Sequence, residues 1–100
     1  MIFFLGNSKK SGKRYYVREL TTNRTVHFGD VHYENYLIHQ DDNRKRAYRK
    51  RHINDNIKDP FSAGFWSYNL LWNKPYLSQS IDDIKKRFDI SVRVLKNFSL

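Results

Sequence analysis

The sequence predicts an α+β domain: a small antiparallel sheet of about four strands with about three helices packed on it. Three observations predict it. Residues 1–30 carry a short apolar run, a stretch of β-formers and period-two alternation at 25–28, and alternation returns at 90–95. Residues 41–53 and 78–88 have acidic fronts and basic ends, the arrangement that complements a helix dipole. Between them, residues 60–77 hold large rings at helical spacing and end at Pro75.

The first strand is the apolar run Ile2–Leu5, followed by the turn formers Asn7, Ser8, Ser11 and Gly12. A second strand runs from Arg14 to Leu20 through the β-formers Tyr15, Tyr16 and Val17, and Thr21–Asn23 turns the chain. The third strand, Thr25–Phe28, places Val26 and Phe28 on one face and Thr25 and His27 on the other. A three-stranded meander with polar hairpin tips is the simplest assembly.

Tyr33, Tyr36 and Leu37 suit a short helical turn. Asp41 or Asp42 caps a helix that runs to about Ile53, and Asn54–Asp59 is a loop, with Pro60 permitting a new start. In the next helix Phe61, Phe65, Tyr68 and Trp72 form one stripe, and Trp66 with Leu70 a second, so it is buried on most sides. Gly64 within it costs about 1 kcal/mol against Ala and leaves room for another element to approach closely. In the last helix Ser80 with Asp83 gives a loose capping box, Ser78 being the alternative cap, and Ile81, Ile84 and Phe88 share a face. Ile90, Val92 and Val94 then alternate with Ser91, Arg93 and Leu95 as a strand that completes the sheet.

One hundred residues make a single domain, residues 1–100. With 39% hydrophobic and 16% aromatic residues in the chain, it should fold despite a modest core. There is no cysteine, which removes disulfides, thiolate metal sites and Cys nucleophiles together. No run approaches the ~20 apolar residues of a membrane span. Met1–Leu5 lacks the basic lead of a signal peptide, so the expected origin is intracellular. The net charge of +9, with 19 basic residues against 10 acidic, attracts nucleic acid, anionic membrane or an acidic protein.

Candidates for chemistry are few. His39, Asp41 and His52 are the only residues that suggest a metal or acid–base site, and Asp41 and His52 lie about three helical turns apart, too far to share one ion. There is no Gly-rich phosphate loop, nucleophile elbow or paired His on a helix face. The reading is a non-enzyme that needs no cofactor and no metal.

The basic helix is the most suggestive element. Arg44, Lys45, Arg46, Arg49, Lys50 and Arg51 place six like charges in eight residues, with Ala47 and Tyr48 the only apolar breaks to anchor it. At a Debye length of ~10 Å such charges repel, and an anionic partner relieves the repulsion. Phosphates or a carboxylate-rich protein face both qualify. The competing reading is a solvated face balanced by Asp41, Asp42, Asp55 and Asp59. Lys9, Lys10, Lys13 and Arg14 form a second basic group on the first hairpin tip, suited to a phosphate backbone or simply to solubility. The rings of residues 60–77 read as core and as protein-contact anchors rather than as a stacking platform, because no aromatic-on-strand pattern stands beside the basic residues.

One set of residues goes beyond generic pattern: His27-Phe28-Gly29, Tyr33-x-x-Tyr36, Ile38-His39-x-Asp41, Arg44, Tyr48, Arg51-His52, Asp59-Pro60, Ala63-Gly64-Phe65-Trp66, Leu70-Leu71-Trp72-Asn73-Lys74-Pro75 and Ser80-Ile81. Over residues 13–88 this combination resembles a family of small basic proteins encoded by nucleocytoplasmic large DNA viruses, such as chlorella viruses and mimivirus relatives. The family has a Gly-Tyr pair where this chain has His32-Tyr33, and Arg-Trp where it has Tyr68-Asn69. The resemblance implies a viral origin and synthesis in the cytoplasm or nucleus of an infected host cell. The expected function is then a structural protein of the virion, a minor capsid or capsid-associated component that bridges subunits through aromatic and basic surfaces. The alternative is a small DNA- or RNA-binding protein of viral replication, transcription or packaging.

Overall fold

A computed structural model describes all residues, 1–100. Strands β1 (Ile2–Asn7), β2 (Lys13–Glu19) and β3 (Thr25–Asp30) form the expected antiparallel meander. Tight turns make it possible. Gly12 takes φ +81° at the first tip, and the Glu19 carboxylate accepts the Thr21 and Thr22 N–H groups, each at 2.9 Å, to close the second. Helices α1 (Tyr36–His39) and α2 (Asp42–His52) follow, then α3 (Ala63–Trp66), which continues into a π-helical turn at Ser67–Leu71, and α4 (Leu77–Phe88). Strand β4 (Ser91–Val94) returns to the sheet beside β1, giving the order β3-β2-β1-β4.

The α+β class holds, with one correction to the sheet: β4 pairs with β1 in parallel, so the sheet is mixed. A hairpin forces antiparallel pairing, whereas β4 arrives after a crossover through all the helices and runs alongside β1. Two further boundaries move. Pro60 and Phe61 precede the helix, which starts at Ala63 with Ser62 as its cap, the Ser62 hydroxyl accepting from Phe65 N at 3.1 Å. Neither Ser78 nor Ser80 caps α4; Tyr76 stands at the cap without a side-chain bond, and the buried Ser80 hydroxyl accepts instead from Lys74 N at 3.0 Å, tying down the preceding loop.

The core lies between the sheet's inner face and the helices. Phe3, Leu5, Tyr15, Val17 and Phe28 are fully buried and meet Phe65, Trp66, Leu70 and Ile84 from the helical layer. Trp66 is the keystone, with its ring 5.0 Å from Phe3 and 6.2 Å from Phe28 and its indole N–H donating to the Pro60 carbonyl at 2.7 Å. The expected close approach at Gly64 is present: a Cβ there would stand 3.3 Å from Asp55 Cβ and 3.5 Å from the Asn56 nitrogen, so the 53–59 loop packs onto the bare backbone. The core cluster draws on one face of the sheet only; Phe4, Tyr16 and His27 of the other face lie outside it.

Candidate binding surfaces

Helix α2 begins as its sequence dictates. The Asp41 carboxylate accepts from Asn43 N at 2.9 Å and Arg44 N at 3.2 Å, satisfying two otherwise orphaned donors. Not one residue of α2 is buried, so the helix is held from outside the core. The Tyr48 ring stacks on Trp72 with centroids 4.2 Å apart and planes within 5°. His52 stacks on the other face of Tyr48 at 4.2 Å, and His39 lies 5.1 Å from Trp72. The Arg49 guanidinium donates to the carbonyls of Tyr68 (3.0 Å) and Trp72 (2.9 Å) and lies 3.9 Å over the Tyr68 ring. Those carbonyls sit at the end of the π-helical turn, where the wide hydrogen-bond step from Trp72 N to Ser67 O leaves acceptors free. Lys45 rests 4.9 Å over the Tyr36 ring, and the Tyr36 hydroxyl donates to Asp42. Burial, with Arg49 and Lys74 nearby, holds the Lys45 ammonium below the usual lysine range.

The six basic residues of α2 therefore divide. Arg49 and Lys45 turn toward the Tyr68 and Tyr36 rings and fasten the helix. Arg46 and Lys50 are exposed on the outer face, with Arg46 bonded to Asn43. Arg44 and Arg51, seven residues and about 10 Å apart along the axis, line a cleft of about 510 Å³ between α2, the segment after β3 and the π-helical turn. Lys13 reaches the same cleft from β2. Arg14 does not: its guanidinium donates to the carbonyls of Asp30 (3.2 Å), Val31 (3.2 Å) and Tyr33 (3.3 Å) and shapes that loop. Lys9 and Lys10 stand exposed on the first hairpin tip. None of the ten candidate cations pairs with a carboxylate; the four ion pairs of the chain use His32, His52, Lys85 and Arg87.

Sequence reading missed the rest of the cleft. Tyr48 and Trp72 form its aromatic wall, Asp30 and Glu34 add acidic groups, and Tyr33, 67% exposed, stands at its edge. Its floor reaches Asn35, a buried residue whose side chain accepts from Leu37 N at 3.0 Å to start α1 and donates to the Tyr15 hydroxyl. The histidines do not converge. His39 Nδ1 accepts from Asp41 N at 2.9 Å, which places its proton on Nε2, and Nε2 is buried without a partner. Burial, reinforced by Arg44, pushes the His39 imidazole below the usual histidine range. His52 Nδ1 instead meets Asp55 at 2.7 Å.

A second surface also escaped the sequence reading: the open face of the sheet, which does carry aromatics on strands. The register places Phe4 between Arg18 of β2 and Arg93 of β4, and Tyr16 between Gly6 of β1 and His27 of β3. The Tyr16 ring lies across Gly6, where a Cβ would come within 2.7 Å of it.

The profile of a family of unknown function (DUF5754) matches residues 5–52, a span from β1 to the end of α2. No curated protein and no solved structure matches the chain. No helix is long and apolar enough to cross a membrane.

Proposed function

We propose that this chain is a non-enzymatic binding protein whose α2 side docks an acidic face of another protein, and that it serves as a minor structural component of a large DNA virus particle. The observation that carries the docking reading is the set of unpaired cations Arg44, Arg46, Lys50 and Arg51 on a helix with no buried residue. A helix so exposed, held only by its rim, presents charge rather than core. The cleft beside it mixes signs, with Asp30 and Glu34 facing Arg44, Arg51 and Lys13, and offers the exposed Tyr33 ring. Mixed charge around aromatic anchors suits a protein segment, whose side chains also carry both signs, better than an unbroken run of phosphates. The viral setting is supported by the likeness over residues 13–88, and synthesis in the host cytoplasm or nucleus is part of the same proposal.

The experiment is quantitative mass spectrometry of purified, nuclease-treated particles of the encoding virus, split into shell and core. Fixed stoichiometry with the shell is expected; absence from particles would contradict the structural role. A second reading, a small nucleic-acid-binding protein of replication, transcription or packaging, is favoured by the sheet's open face rather than by α2.

A further inference from the structure

We infer that the open face of the sheet is a binding platform for single-stranded nucleic acid, distinct from the α2 surface and independent of the docking assigned to it. Side chains on a strand alternate between faces, so the pairing register fixes what this face presents. One row across the sheet reads Thr25, Arg18, Phe4, Arg93, and the next reads His27, Tyr16, Gly6. Phe4 and Tyr16 are large rings that take no part in the hydrophobic core or its partly buried margin. Both are half-buried and stand on the face opposite the core.

The chemistry of their neighbours says what covers them. Arg18 lies 5.8 Å from the Phe4 ring centroid, and Arg93 is its neighbour on the opposite side. The Tyr16 and His27 rings are 6.1 Å apart, and the Tyr16 ring lies down over Gly6, flat on the sheet. His27 Nδ1 meets the Ser8 hydroxyl at 2.7 Å, joining this face to the hairpin tip that carries the exposed Lys9 and Lys10. No strand places an acidic residue outward: Glu19 and Asp30 have inward parity, and Glu19 is buried at its turn. An apolar protein partner would leave Arg18 and Arg93 unpaired beneath it, and a second copy of this face would set like charges against each other. A single strand of nucleic acid meets both needs, because unstacked bases cover rings while phosphates meet cations. The two rows are about 6.8 Å apart along the strands, roughly one nucleotide step of an extended strand. A duplex hides its base faces and cannot use the rings.

The test is fluorescence anisotropy of the full chain with labelled dT12, U12 and a 12-base-pair duplex across a salt series. Both single strands are expected to bind more tightly than the duplex, and the difference between them reports whether the ligand is DNA or RNA. The double variant Phe4→Leu with Tyr16→Leu keeps apolar bulk and loses the rings; it should bind dT12 or U12 at least roughly 30-fold more weakly. Arg18→Gln with Arg93→Gln, both exposed positions, serves if the ring variant fails to fold, and should flatten the log–log salt slope by about 1.4. Tighter binding to duplex, no measurable single-strand binding, or binding that survives both double variants and vanishes in Arg46→Glu with Lys50→Glu would each overturn the proposal.

Discussion

At the scale of the residue, side chains of the same type do opposite work a few positions apart. Arg49 spends its guanidinium on two backbone carbonyls and a ring, whereas Lys50 meets nothing. Arg49→Ala should therefore lower stability by about 1.5–3 kcal/mol, because it orphans the Tyr68 and Trp72 carbonyls. In a domain of this size that is on the order of 10 °C in Tm, read by thermal circular dichroism. Lys50→Ala should stay within about 0.5 kcal/mol. His39 sets a pH dependence. Its folded-state pKa is depressed by burial and by Arg44, so the unfolded chain binds the proton more readily. The stability this group supports is fully present above its unfolded value of 6.5 and is lost as the pH falls through the lower folded value. Chemical denaturation from pH 7.5 down to 5 should show that decline in the native chain, and His39→Gln should flatten it. An unchanged slope would remove His39 from the account.

At the scale of the element, the strands and α2 were legible because their signals are local. Alternation at Tyr15, Val17, Val26 and Phe28 marks one buried face, and Asp41 caps α2 with its own carboxylate. The π-helical turn was not legible, since the 3.6-residue period through Phe65, Tyr68 and Trp72 gives no sign of one extra residue in the step from Ser67 to Trp72. What holds it there is polar: the Asn69 amide donates to Ile57 O (2.8 Å) and Phe65 O (3.0 Å), and its oxygen accepts from Arg87 at 2.7 Å. Arg87 also pairs with Asp83 at 2.9 Å, and Asn73 donates to Asp83 at 2.7 Å, so α4 and the turn share one network. Asn69→Leu keeps the branched shape and removes every side-chain hydrogen bond. A loss of roughly 2–3 kcal/mol is expected in urea melts, with little change in the m-value. Burial alone would raise the Asp83 pKa, but the Asn73 and Arg87 bonds outweigh it and the net shift is downward. Its stabilisation is present above the ordinary 3.8 and fades as the pH falls through the depressed value, so the acid limb of unfolding should move to higher pH in Arg87→Gln.

At the scale of the whole molecule, the layers separate two surfaces of different charge character. Helices bury one face of the sheet and carry the mixed-sign cleft beside α2; the other face is left to Phe4, Tyr16, His27, Arg18 and Arg93. Neither surface could be read from the chain alone. The cleft assembles Lys13, Asp30, Arg44 and Trp72 from four separate stretches, and the open face depends on a register that pairs Gly6 with Tyr16 and Phe4 with Arg93. Of the ten basic residues the sequence singled out, Lys13, Arg44 and Arg51 come together at the cleft, while Arg14, Lys45 and Arg49 are consumed by the fold.

The measurement that tests this division most directly is a pair of amide NMR titrations of the labelled full chain, one with a glutamate-rich peptide and one with dT12. The two-face account predicts that the peptide shifts resonances around Arg44, Ala47 and Arg51, and that dT12 shifts those of Phe4, Tyr16, Arg18, His27 and Arg93. If both ligands moved the same α2 residues and left the sheet face still, the positive charge would be one undivided surface and the account would be contradicted.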